Sequence, residues 1–272
     1  MEKIYLVTGA TSGIGKATAI ELARTGAQVV IGARNAKGGE TARDEIRAAS
    51  GNKNVDTLIG DLSSLASIRK MADAFRAKYA HLNVLINNAG VFKSTRILTA
   101  DGFELMFATN HLAPFLLTNL LLDLLKTSGT ARILNIAAPS STELNFEDLQ
   151  SEKAFNALNA LGASKMASQL FSFELAHRLE GTGVAVNAIH PGMVRSNIMN
   201  DANSFLRLMS SLFSGSPEKA AQAIVRVALG DEYQNKTGLF YSQGKEIKAN
   251  KYAHDRDVQK RLWDVSEKLV GL

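Results

Sequence analysis

The chain contains no cysteine. That excludes disulfides, thiolate metal ligands and a cysteine nucleophile, and says little of compartment, because an intracellular protein needs none. Only 4 prolines occur in 272 residues, and no Pro/Gly/Ser-rich stretch divides them. A linker between domains is therefore not expected. The longest apolar run, Leu112 to Leu125, is broken by Pro114, Thr118, Asn119 and Asp123, which reads as a packed helix and not a membrane span. No charged-then-apolar segment opens the chain, so the expectation is a cytoplasmic protein, with association at a membrane surface left open. Charge of one sign does not dominate either. The 31 basic and 26 acidic residues leave +5, spread without a basic and aromatic array, so a nucleic-acid partner is not expected.

What is present is a chain 46% hydrophobic, enough to bury a substantial core. Short apolar runs alternate with helical patterns. Ile4-Tyr5-Leu6-Val7, Gln28 to Gly32, Val55 to Ile59, Val84 to Ile86, Arg132 to Ile136, Val184 to Ile189 and Thr237 to Tyr241 read as strands. The alternation predicts an α/β fold over residues 1–272: one doubly wound Rossmann-type domain, with a mostly parallel seven-stranded sheet and helices on both faces. Ligands of such sheets sit outside the carboxyl ends of the strands.

The first strand runs directly into Thr8-Gly9-Ala10-Thr11-Ser12-Gly13-Ile14-Gly15, which opens an amphipathic stretch through Ala23. Glycines at 9, 13 and 15 allow a tight turn and close backbone approach, so the first N–H groups of the helix can face a pyrophosphate. Strand, turn and helix occur in the order that a dinucleotide site demands. The second strand ends in Gly32-Ala33-Arg34-Asn35, with no acidic residue to hold a ribose diol. Arg34 can pair with a 2′-phosphate instead, which favours NADP(H) over NAD(H). Lys16 and Lys37 can add positive field or be ordinary surface residues. Asp61-Leu62 closes the third strand; Asp61 either accepts from an adenine amino group or caps a helix starting at Leu65.

These residues resemble the short-chain dehydrogenase/reductase family, in its retinol-dehydrogenase-like branch, over almost the whole chain. Thr8 to Gly15 is similar to the family's glycine motif, Asn87-Asn88-Ala89-Gly90 to its sheet-stabilising and cofactor-contacting motif, and Asn110 to its active-site asparagine. His190-Pro191-Gly192-Met193-Val194 resembles the segment that lies against the nicotinamide. The resemblance implies that Pro191, Gly192 and Val194 contact the cofactor, with the Val194 backbone near the carboxamide. Ser216 to Ala221 and Lys260 to Trp263 also look like that branch.

The departures fall where the family keeps its chemistry. Its Tyr-x-x-x-Lys signature maps onto Leu161 through Lys165, whose spacing puts both side chains on one helical face. By the resemblance, the lysine holds the nicotinamide ribose and lowers the pKa of the tyrosine, which exchanges a proton with the substrate oxygen. Lys165 retains its role; leucine has no exchangeable proton. After the fifth strand the family's orienting serine maps onto Ala138 within Leu134-Asn135-Ile136-Ala137-Ala138. Ser140 and Ser141 follow closely as candidates for rescue.

Three readings follow. An altered chemistry on a hydrophobic small molecule, by non-standard reduction, isomerisation or cyclisation, would use an apolar wall of Leu161, Ala137 and Ala138. A conventional NADP-dependent carbonyl or alcohol oxidoreductase would need another group to move the proton. A catalytically silent cofactor-binding protein would act through a partner. The first is the leading expectation, with Asn110 and Lys165 retained and no metal. Met193 to Gly215, rich in apolar residues, is expected to form a small substrate lobe or lid over an apolar ligand. The resemblance also implies a homodimer or homotetramer, built on the helix from Ala160 to Leu179 through Met166, Leu170, Phe171, Phe173 and Leu175. The stretch Val258 to Leu269 can instead cover an apolar edge or bind a partner.

Overall fold

The computed structural model describes residues 2–192 and 215–272. Strand β1 (Ile4–Val7) leads to helix α1 (Gly13–Ala23), followed by β2 (Gln28–Ala33), α2 (Ala36–Ser50), β3 (Val55–Ile59), α3 (Leu65–Lys78) and β4 (Val84–Asn87). A short helix α4 (Leu105–Phe107), a π-helical turn (Ala108–Leu112), α5 (Ala113–Leu120) and α6 (Leu122–Thr127) precede β5 (Ala131–Ile136). Then come α7 (Ala157–Arg178), β6 (Val184–His190), α8 (Pro217–Leu229), β7 (Leu239–Ser242), β8 (Lys245–Glu246) and α9 (Arg256–Val270).

The strands form one sheet in the order β3-β2-β1-β4-β5-β6-β7-β8. All neighbours are parallel through β7, and only β8 runs antiparallel. The chain order reverses between β1 and β4, which opens the crevice where such sheets take a ligand. Both faces are buried. Along β1, Tyr5 and Val7 pack with α1, α2 and α8, whereas Ile4 and Leu6 pack with α3, α5 and α7, the two-residue period of a strand covered on both sides.

The expected seven strands are present, and an eighth was not foreseen. It is a two-residue hairpin return whose turn, Gln243-Gly244, has positive φ at both positions, the backbone that a two-residue hairpin requires. Its strand is too short to carry an apolar pattern.

Helix α7 starts at an Asn156 side chain that accepts from the Leu158 and Asn159 N–H groups. All five apolar side chains offered for self-assembly are buried within the chain. Phe171 and Leu175 pack with Phe115, Trp263 and Val270, while Met166, Leu170 and Phe173 pack with Leu262 and Phe240. Helix α9 is thus the cover of this apolar face, the role its sequence left open. It is clamped there by Arg178, stacked 4.1 Å over the Trp263 ring, and by Glu174, which lies 2.8 Å from both Arg178 and Arg256. Among the described residues no helix is long and apolar enough to cross a membrane.

Candidate functional site

The glycine turn is shaped by contacts that no side chain would allow. A Cβ at Gly15 would lie 2.3 Å from the Gly9 carbonyl oxygen, and one at Gly9, whose φ is +63°, 2.8 Å from the Ala89 Cα. Thr8 ties the two motifs together: its Oγ1 accepts the N–H groups of Asn88 (3.0 Å) and Ala89 (3.1 Å). Asn88 donates back to the Thr8 and Gly9 carbonyls at 2.9 and 3.1 Å. Sequence reasoning assigned Thr8 no role of its own, because its partners lie 80 residues away. At the helix entrance Ser12 makes no side-chain cap, the first turn holds no acidic residue, and Gly13 faces open space. Free N–H groups, a helix dipole and room above Gly13 fit the phosphates of a dinucleotide. Thr11 and Ile14 are half-buried at the turn, and half-buried Gly90 follows Ala89.

Arg34 leaves the end of β2 exposed to solvent, with no hydrogen bond or ion pair among the described residues. A guanidinium in that state is free to pair with a phosphate. Asn35 is occupied, its side chain accepting the Gly38 N–H at 2.9 Å to cap α2. Lys16 is likewise paired, 2.8 Å from Glu45, so Arg34 is the better-placed cation of the two. Asp61 does not cap α3. Ser64 does, accepting from the Ser67 N–H, while Asp61 closes a turn by accepting from the Ser63 N–H and hydroxyl. Ser64 is one residue before the helix, where a cap must stand. Leu62 and Ala89 share a small cavity with Thr8, Asn87 and Thr109.

At the other end of the crevice Asn110 belongs to one polar chain. Asn87 donates to Asn135 (2.8 Å), Asn135 to Ser172 (2.9 Å), and Ser172 to the Ser168 carbonyl (2.7 Å). Ser168 donates to the Asn110 carbonyl at 3.2 Å, and the Asn110 side chain pairs with the Val91 backbone and donates to Ser164 Oγ at 3.0 Å. The π-helical turn carries Asn110 and widens the helix at that point. Lys165 donates to the Ile136 carbonyl at 3.4 Å, and burial pushes its ammonium down to about 8. His190 is also lowered, by burial first and by Lys165 in addition, against a hydrogen bond with the Ala137 backbone that raises it.

The three residues expected to form an apolar wall sit in different packing environments. Ala137 is buried in the core with Met166 and Phe240, Ala138 is half-buried, and Leu161 packs in a separate cluster with Phe92 and Met106. Ser140 donates to the Gly162 carbonyl (2.8 Å) and accepts the Thr142 N–H (3.1 Å), which commits its hydroxyl; Ser141 is exposed. Sequence reasoning passed over Gln169, which lies one turn beyond Lys165 and donates to the Ala138 carbonyl at 2.8 Å. A glutamine four residues after Lys165, on the same helical face, was the available signal. Pro191 and Gly192 follow β6 at the crevice; Val194 and nearly all of the Met193 to Gly215 segment lie outside the described residues.

A doubly wound sheet with an open glycine turn at its switch point defines a protein of the dinucleotide-binding α/β class. Residues 3–207 match the short chain dehydrogenase family, and the chain belongs to it. Retinol dehydrogenase 12 of Mus musculus is 43% identical over 277 residues, spanning 99% of this chain and 87% of its own. Retinol dehydrogenase 14 of Homo sapiens is 40% identical, with 99% and 87% covered. Among solved structures, an uncharacterized protein from Mycobacterium paratuberculosis superposes with a TM-score of 0.80 at 31% identity, covering 99% of this chain and 93% of that one. The Pseudomonas aeruginosa RhlG/NADP active-site complex gives 0.72 at 29% identity, covering 88% and 94%.

Proposed function

We propose that the chain is an NADP(H)-dependent oxidoreductase acting on an apolar alcohol or carbonyl compound, with the proton moved by a group other than a tyrosine. The observation that carries this reading is Arg34, an exposed and unpaired guanidinium at the end of β2 beside an open helix N-terminus. A 2′-phosphate placed there gains a bidentate partner, which NAD(H) cannot use. Gly9, Gly13 and Gly15 with Thr11, Ser12 and Ile14 would cradle the pyrophosphate, and Asp61, Leu62, Asn88, Ala89 and Gly90 the adenosine half. The nicotinamide half falls to Lys165, Pro191, Gly192 and Val194. When bound, the cofactor supplies or takes hydride.

Relatives named as retinol dehydrogenases and a structural neighbour described with NADP support the conventional oxidoreductase over isomerisation or cyclisation. An apolar substrate follows from those names. Leu161 and Ala138 are read as the positions of the family's proton donor and orienting serine, on their spacing from Lys165 and β5. The test is deuterium transfer from stereospecifically labelled NADPH to apolar aldehydes, retinal included. Label in the alcohol supports the reading, and NADPH binding without any label transfer contradicts it.

A further inference from the structure

We propose that Lys165 itself exchanges the proton with the substrate oxygen, its ammonium standing in for the hydroxyl that Leu161 lacks. The proposal rests on the oxidoreductase reading and names the group that reading leaves open.

The buried and half-buried serine hydroxyls along this face are already spent, and Ser141 is exposed to solvent. Ser140 donates to the Gly162 carbonyl, Ser164 to the Leu161 carbonyl at 2.8 Å, and Ser168 to the Ser164 and Asn110 carbonyls. An ammonium has three donors. Lys165 uses one, in a 3.4 Å bond to Ile136, and no carboxylate among the described residues pairs with it. Two N–H groups therefore remain for a ribose hydroxyl and a substrate oxygen, on the helical face where Leu161 offers none. His190, from β6, is the ionisable group whose charge is felt with that of Lys165; both are disfavoured as cations by burial. His111, nearest to Asn110 in sequence, is turned away to bond Ser266. A lysine near 8 is poised to give and regain a proton close to neutrality.

The step balances. In reduction the carbonyl carbon accepts hydride from NADPH, the oxygen takes a proton from Lys165 Nζ, and the neutral amine regains its proton from water. Oxidation runs in reverse, the neutral amine accepting the alcohol proton. Reduction therefore falls as pH rises through the lysine pKa, and oxidation rises.

The test joins a titration of the cofactor-free protein to kinetics of two variants. The pH dependence of Lys165 acylation, read by mass spectrometry, is expected to have its midpoint near 8, below the ~10.4 of exposed lysines. In Lys165→Arg, a fixed cation is expected to keep NADPH affinity within about threefold while kcat for an apolar aldehyde drops roughly a hundredfold and the pH inflection disappears. Lys165→Met is expected to lose both. A Lys165 midpoint above about 10, or a Lys165→Arg enzyme retaining kcat within about threefold with its inflection intact, overturns the proposal alone. Wild-type protein that binds NADPH but moves no hydride overturns the oxidoreductase reading as well, and is recognised because the unmutated chain fails.

Discussion

The two ends of the crevice are built differently. Around the glycine turn the functional groups are backbone N–H groups, and their places are fixed by close packing: a Cβ at Gly15 would stand 2.3 Å from the Gly9 oxygen. At the start of α7 and just past β5, Leu161 and Ala138, proposed above as the positions of a proton donor and an orienting serine, are half-buried side chains that leave the helix and the polar chain beneath undisturbed. A change at the first end damages fold and binding together. A change at the second removes chemistry and leaves the scaffold standing. The cofactor cradle is therefore partly a demand of packing, and Arg34, exposed and without a polar partner among the described residues, is the stronger support for the proposed phosphate ligand.

The comparison is tested most strongly by restoring the missing groups. In the Lys165→Arg background, which has no proton donor, adding Leu161→Tyr and Ala138→Ser is expected to raise kcat for an apolar aldehyde by about 10²- to 10⁴-fold, the usual worth of a positioned general acid, without further change in NADPH affinity. Unchanged turnover would show that the two positions do not border the reacting atoms. Next in size is acid sensitivity beneath the same site. His111 is fully buried and pushed down to about 3, so its neutral form stabilises the fold above the ordinary pKa of 6.5. That stability is lost as pH falls from 6.5 toward 3, by at most about 1.4 kcal/mol per pH unit. Denaturant titrations of wild type and His111→Phe across this window should diverge, with the variant less sensitive to acid; parallel curves would show that His111 does not govern acid stability.

Gly15→Ala follows. Forcing a methyl group onto the Gly9 carbonyl and the Asn88 amide should cost about 1–3 kcal/mol of stability and weaken NADPH binding with it, read by thermal unfolding and calorimetry. A stable variant with normal binding would mean that the turn is looser than its contacts. Arg34→Ala is the narrowest change, acting on binding alone. It should leave Tm nearly unchanged and weaken NADPH by roughly tenfold or more, a charge-assisted hydrogen bond being worth ~1.5–3 kcal/mol, with little change for NADH.

The sheet was legible because its strands are buried on both faces and read as apolar runs; Val55 to Ile59 is found where expected. The glycine turn was legible because its spacing is a backbone requirement. Less legible were features made by distant partners. Thr8 gains its meaning from Asn88 and Ala89, Gln169 from the Ala138 carbonyl, and the π-helical turn from the packing of Asn110 against Ser164 and Val91. The same holds for the packing of Ala137 with Met166 and Phe240, and of Leu161 with Phe92 and Met106. Surplus apolar character on α7 was visible, but its cover, α9, lies far onward in the chain and could be assigned only from the fold.

As proposed above, the chain holds NADP(H) through Arg34 and an open glycine turn. Calorimetric titration of NADPH and NADH into the purified protein and its Arg34→Ala variant tests it most directly. Affinity for NADPH should stand well above that for NADH in the wild type and fall to near equality in the variant. Equal affinities in the wild type, or binding of neither nucleotide, would contradict the claim.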